Sequence, residues 1–190
     1  MTLIILLVVV ALLLFWVVGA YNRLITLKNE VVNAWKQIDV QLKRRHDLVP
    51  NLVSTVRGAM EFERDTLEAV IAARGRAVSA TGVKETAKAE GELSQALGRL
   101  FALSEAYPEL KSNTNVLSLQ QELTNTENVL GSARQQYNNT ATRYNVAQST
   151  FPTMLVAGIA KASPAELWEI EAAAEREVPT VDLSMRKPGA

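Results

Sequence analysis

The chain opens on an apolar run, Leu3 to Ala20, that contains no charge, Pro or Asn. At about 1.5 Å of rise per residue, such a run reaches roughly 27 Å as a helix, close to the ~30 Å hydrocarbon core of a bilayer. Beyond it, the apolar positions Leu24, Leu27, Val31, Ala34/Trp35, Ile38 and Leu42 recur at alternating threes and fours. Arg23, Lys28, Glu30, Lys36, Asp39 and Lys43 occupy the other face. That is the stripe of an amphipathic, coiled-coil-like helix. No Gly or Pro lies between Tyr21 and Arg45, so anchor and stripe are predicted to form one rod. The cluster Lys43-Arg44-Arg45-His46 is expected to close it, since cations at a helix C-terminus complement the macrodipole, with contact to anionic headgroups or a partner as the alternative.

Asp47-Leu48-Val49-Pro50 then reads as a new start, with Asp47 as N-cap and Pro50 in the first turn. A second helix is expected from there to about Ala80. Its core face would be Val49, Leu52/Val53, Val56, Met60, Leu67, Val70/Ile71, Arg74 and Val78. Glu61, Glu63, Arg64, Asp65 and Glu68 make a solvated charged face, without a third ligand to turn two close carboxylates into a metal site. Thr81-Gly82 predicts a turn. A third helix should run from about Val83 to Ala106 with Leu93, Ala96/Leu97, Leu100 and Leu103/Ser104 inward. Gly91 and Gly98 stand at heptad spacing in it, which predicts close helix packing, with a ligand cleft as the alternative.

After a polar loop, Tyr107 to Asn113, a fourth helix is predicted over about Asn115–Ser149. Its stripe is Val116, Leu119, Leu123, Thr126, Leu130, Ala133, Tyr137, Thr140/Ala141 and Tyr144. Amides are dense here, among them Gln121, Asn125, Asn128 and Gln135. Glu and Lys would solubilise a helix at lower cost in propensity, and amides can pair between helices without charge. This face is therefore expected to be an interaction surface, with simple exposure as the rival. Phe151 to Ile159, opened by Phe151-Pro152, is apolar but too short to span. It is expected to dock on the bundle or to lie at a membrane interface. Ser163-Pro164-Ala165-Glu166 has the form of a capping box and predicts a last, acidic helix to about Glu177. Leu167, Trp168 and Ile170 would be its contacts, and its charge opposes that of the basic first rod. Val178 to Ala190 reads as an extended tail. The domain division is thus an anchor (1–20), a helical body (21–177) and a tail (178–190).

Composition narrows the function. The 20 basic and 20 acidic residues cancel, so no global field draws nucleic acid, and Arg44-Arg45 alone is too small a basic patch. There is no Cys, which removes disulfides, thiolate catalysis and Zn–Cys sites. Sparse Gly and Pro with abundant helix formers favour an all-α body. The single His, His46, beside Asp47, is the one general-base candidate, and a helix junction explains both residues without catalysis. No cofactor, metal or small-molecule substrate is expected. A cleaved signal peptide ending at Val18-Gly19-Ala20 is the rival to an anchor. Against it, no Lys or Arg precedes the run, and the run exceeds the usual signal core. Leu3, Ile4, Leu7, Val10, Leu14, Phe15, Trp16 and Val18 are then the lipid-facing residues. Arg23, Lys28 and Lys36 after the span place the body in the cytoplasm by the positive-inside rule. The span carries no polar residue to line a pore. Candidate interaction residues are Lys43, Arg44, Arg45, Gln121, Asn125, Asn128, Gln135, Phe151, Pro152 and Trp168.

Specific stretches add a resemblance. Asn33-Ala34-Trp35, the run from Lys43 through His46-Asp47-Leu48-Val49-Pro50-Asn51 to Val53, Tyr107-Pro108-Glu109-Leu110-Lys111, Leu119 to Asn128, and Tyr144-Asn145 leading to Phe151-Pro152 together resemble the LemA family over residues 1 to about 158. The resemblance implies a small protein of the bacterial inner membrane with one N-terminal span, a short segment outside, and an antiparallel helical bundle in the cytoplasm. It maps no catalytic residue onto this chain. The pattern departs after Phe151-Pro152, where Gly158-Ile159 and then Pro164 to Glu177 replace the expected Gly-Phe and Phe-Glu segments. The expected function is structural. The bundle self-associates or scaffolds at the membrane, with shaping of the bilayer as one outcome. The alternative is an adaptor or sensor for a membrane protease or signalling protein, and the remote one an enzyme using His46. The expected partners are the lipid bilayer, further copies of the chain, and another membrane protein.

Overall fold

A computed structural model describes residues 1–60 and 62–169 as an all-α protein. Helix α1, Thr2–Val56, is a single helix of 55 residues. Helices α2 (Arg64–Ser79) and α3 (Val83–Ser104) form a hairpin, α4 (Pro108–Lys111) is one turn, α5 (Thr114–Ser149) is a second long helix, and α6 (Met154–Ala157) is again one turn. The central pair is α1 against α5, antiparallel. Trp35 meets Tyr137 with ring centroids 5.4 Å apart, Arg45 meets Glu127 at 3.0 Å, and Arg44 meets Glu122.

The apolar stripes fall where the periodicity put them. Leu24, Leu27, Val31, Ala34, Ile38 and Leu42 of α1 are buried, as are Val116, Leu123, Thr126, Leu130, Tyr137, Ala141 and Tyr144 of α5. Residues before Ala20 on α1 are almost all exposed, and burial begins at Ala20. The core has two parts. Val49, Leu52, Val53 and Val56 pack with the α2–α3 hairpin through Leu67, Val70, Leu93, Leu97 and Leu100. Closer to the N-terminal run, Leu27 to Leu42 pack with Leu130, Tyr137, Ala141, Tyr144 and Trp168.

Four expectations are corrected. The junction at Asp47 does not exist, because α1 runs through Pro50 to Val56. Proline removes the N–H that would serve the His46 carbonyl and crowds that carbonyl. Arg74 Nε–H of α2 donates to the same oxygen at 2.7 Å, so the break in the ladder is repaired from a neighbouring helix. The true interruption lies between Val56 and Arg64. Leu67 and Val70 of α2 are buried as expected, but the buried face then runs through Ala73 and Ala77 in place of Arg74 and Val78, and Ile71 and Val78 stand exposed. At Gly91 and Gly98 a Cβ would meet open space, so neither serves close helix packing. Gly82 is different: its φ of 84° is the left-handed geometry that ends one arm of the hairpin and starts the next.

The fourth correction is the last helix. Residues 162–169 carry no helix, and the capping box at Ser163 does not form. Instead the segment lies extended along α5, held by side-chain amides. Asn145 Nδ2–H donates to the Ala165 carbonyl and Asn145 Oδ1 accepts from the Ala165 N–H, both at 2.8 Å. Asn138 does the same for Trp168, at 2.9 and 2.8 Å. Two turns of α helix rise about 10.5 Å and three extended residues about 10 Å, so the two rungs match without strain. A strand-like segment thus has its peptide groups satisfied by a helix. The part of the expected helix beyond Glu169, and the tail, lie outside the described residues.

Candidate interaction surfaces

The basic cluster turns out to be internal to α1, and its four residues part company. Lys43 pairs with Asp47 on the exposed surface at 3.2 Å. Arg44 reaches Glu122 of α5. Arg45 points inward, with Nη1 3.0 Å from Glu90 and 3.0 Å from Glu127 and Nη2 donating to Ser94 at 2.8 Å. His46 Nε2 lies 2.6 Å from the second oxygen of fully buried Glu90. A carboxylate paired with a guanidinium only accepts, so the ring carries a proton on Nε2. Arg134 completes the group with a bond to Glu127 at 3.1 Å. This network ties α1, α3 and α5 together. Arg45 is therefore no surface ligand for headgroups, and the carboxylate partner of His46 is Glu90 of another helix, not its neighbour Asp47.

Apart from Gln120, which donates to Ser104 of α3 at 3.3 Å, two sets of amide residues on α5 stand out by face. Asn138 and Asn145 hold the extended segment, as does Tyr137, whose hydroxyl donates to the Glu166 carbonyl at 2.7 Å. Burial, and then the Glu166 carboxylate, push that hydroxyl above the usual phenolic range. Trp168 is buried in the core cluster that Leu27 to Leu42 of α1 form with Leu130, Tyr137, Ala141 and Tyr144 of α5. It packs 6.0 Å from the Trp35 ring and beneath the Arg134 guanidinium at 4.8 Å. Trp168 is thus a buried anchor of the chain's own segment.

The second set faces solvent. Leu117, Gln121, Asn125, Asn128, Ser132, Gln135, Asn139, Thr142 and Val146 follow one another at threes and fours, and all nine are exposed. None carries a charge. The four amides singled out in the sequence, Gln121, Asn125, Asn128 and Gln135, lie on this line together. Gln121 donates to Asn125 at 3.1 Å along the helix, and no side-chain hydrogen bond links the line to another helix among the described residues. The stripe runs for about 44 Å at the helical rise.

The third surface is the loop from Thr150 to Ala162, which joins α5 to the extended segment. Val156 and Ala160 are buried against the bundle, and α6 packs on both α1 and α5. Phe151, Met154, Leu155 and Ile159 point away and are exposed, with Pro152 half-buried between the two faces. The residues expected to form the anchor, Leu3, Ile4, Leu7, Val10, Leu14, Phe15, Trp16 and Val18, are exposed all round α1. The segment is long and apolar enough to cross a membrane. At the opposite end of the bundle, an open groove of about 580 Å³ is lined by Arg57, Met60, Arg64, Leu67 and Ile71, near the exposed Phe62. Sequence reasoning did not single out this end.

Comparison with known proteins follows the same outline. The LemA protein of Metamycoplasma hominis is 30% identical over 145 residues, 75% of this chain and 66% of its own length. A magnetosome protein of Paramagnetospirillum magneticum, MamQ 2, is 24% identical over 86% of this chain and 70% of its own. MamQ of Magnetospirillum gryphiswaldense is 25% identical over 70% and 58%. The chain therefore spans about two-thirds of the length of these relatives. The LemA family model matches residues 34–183, which includes the stretch after Phe151-Pro152 where the chain lacks the expected Gly-Phe and Phe-Glu segments. With that match over most of the helical body, the chain belongs to the LemA family.

Proposed function

We propose that the protein is a non-enzymatic scaffold of the bacterial inner membrane, anchored by α1 and assembled through α5. In this reading α1 spans the bilayer with a short N-terminus outside and carries the bundle in the cytoplasm, as the cations after the span favour. The observation that supports assembly is the uncharged stripe along α5. A solvated helix face of that length ordinarily carries Glu and Lys, which cost less in helix propensity. A seam of amides flanked by Leu117 and Val146 at heptad spacing instead suits a second helix of the same kind, where uncharged hydrogen bonds set register.

The test is the mass of the full-length protein in mild detergent by light scattering, with shape by electron microscopy. Assembly predicts several copies per particle, and Asn128→Glu with Gln135→Glu should reduce them to one while leaving helical content unchanged. A wild-type monomer at every concentration, or an assembly indifferent to the two charges, contradicts the reading.

A second reading, an adaptor for a membrane protein, is favoured by the exposed Phe62 and the groove at the far end of the bundle. It predicts that Phe62→Ser abolishes recruitment of a partner without changing self-association.

A further inference from the structure

We infer that the loop from Phe151 to Ile159 is a second membrane contact, seated in the interfacial layer of the same bilayer that α1 crosses. The inference rests on the reading of α1 as a span. Its geometry comes from the register of α1 and α5. Trp35 faces Tyr137, and the two helices run antiparallel at the same rise. About 21 Å from that pair toward the N-terminus, α1 has reached Tyr21 and the chain beyond α5 has reached Phe151. Tyr21 directly follows the uncharged run, and burial on α1 begins one residue earlier, at Ala20. The floor of the bundle and the start of the span therefore stand at one level, and the loop lies on that floor. From there residues 165–169 turn back along α5, since Ala165 pairs with Asn145 and Trp168 with Asn138, so the loop is the lowest part of the body.

The chemistry of the loop fits lipid. Phe151 is 72% exposed, Met154 51%, Leu155 63% and Ile159 69%, all on a stretch whose opposite side, Val156 and Ala160, is fixed to the bundle. Between Thr150 and Ala162 the one charged residue is Lys161, exposed beside Ile159 and suited to an anionic headgroup. No carboxylate is present there to oppose it. The opposite end of the bundle differs, with Arg57, Glu63, Arg64 and Asp65 around a single exposed Phe62. Exposed apolar side chains backed by a cation and aligned with a span are the pattern of an interfacial anchor.

Because the chain has no Cys, single cysteines can be labelled with a nitroxide without background. Phe151→Cys, Leu155→Cys and Ile159→Cys would be read in the full-length protein in vesicles of phosphatidylethanolamine and phosphatidylglycerol. Leu7→Cys serves as the control for the span and Val40→Cys for the aqueous body. Collisions with oxygen exceeding those with a water-soluble nickel chelate several-fold at all three loop sites, at a depth shallower than position 7, are expected. Chelate-accessible loop sites beside a lipid-buried position 7 would overturn the inference while leaving the span intact. A chelate-accessible position 7 would overturn the span reading and this inference with it. Loop labels shielded from both reagents and broadened by mutual dipolar coupling would assign the surface to a second copy instead of lipid, and would equally overturn it.

Discussion

Pro50 stands inside a long helix, and the means by which it is tolerated is specific enough to test. The His46 carbonyl, orphaned by the proline, accepts from Arg74 Nε at 2.7 Å. Arg74→Met should therefore cost about 1–3 kcal/mol by leaving a carbonyl unpaired. In a Pro50→Ala background the restored N–H serves the same carbonyl, so the same change should cost distinctly less. Chemical unfolding of the four proteins measures the difference, and equal costs in both backgrounds would refute the repair. The neighbouring ion network makes a second case. Arg45→Met leaves fully buried Glu90 without its guanidinium, with only the His46 ring still bonded to it, and should cost about 3–5 kcal/mol. Adding Glu90→Leu removes the stranded charge, so the double variant should be no less stable than Arg45→Met alone, measured the same way. The sequence held a signal for this arrangement. Ile38, Leu42, Arg45, Val49, Leu52/Val53 and Val56 continue one heptad phase straight through the proline. Asp47 and Pro50, residue types with strong preferences at helix starts, masked that phase when read locally.

Among the elements, the extended segment shows most clearly where local pattern fails. Ser163-Pro164-Ala165-Glu166 satisfies the capping-box template, yet Ala165 bonds to Asn145, Trp168 bonds to Asn138, and the Trp168 ring packs on Trp35 of α1 and Arg134 of α5. No window of sequence contains both partners, so the tertiary alternative was invisible there, though the excess of amides on α5 was visible and pointed to main-chain recognition as readily as to assembly. Asn138→Ala with Asn145→Ala should release the segment and expose Trp168. A red shift and greater quenching of tryptophan emission, with helical content kept, would record it, and unchanged emission would contradict the ladder. The segment should also respond to alkali. The Tyr137 hydroxyl is held protonated to higher pH in the folded state than in the unfolded chain. Its contribution is thus complete below the ordinary tyrosine pKa of ~10 and is lost as pH rises through the raised value. Tyr137→Phe should remove this step from a pH titration of Trp168 emission, whereas a step that persisted would belong to another group.

At the scale of the whole molecule, one helix runs from the apolar run at the N-terminus into the distal half of the core. From Ala20 to Val56 it extends about 54 Å, so the bundle stands as a rod whose far end is well clear of any bilayer the run crosses. The α1 and α5 stripes that build this rod were legible from periodicity alone, because long heptad patterns leave little freedom of phase. The division of labour among its surfaces was not. Gln121, Asn125, Asn128 and Gln135 form the outward seam, while Asn138 and Asn145 of the same helix hold the extended segment. In the function proposed above, a rod fixed at one end, with an uncharged seam along its flank and an apolar floor, stands beside its own kind at a membrane. Electron cryotomography of the full-length protein in vesicles tests this most directly. The account predicts clusters of side-by-side rods projecting roughly 50 Å from the headgroups. Isolated single rods at high surface density, or bundles lying flat on the lipid, would contradict it.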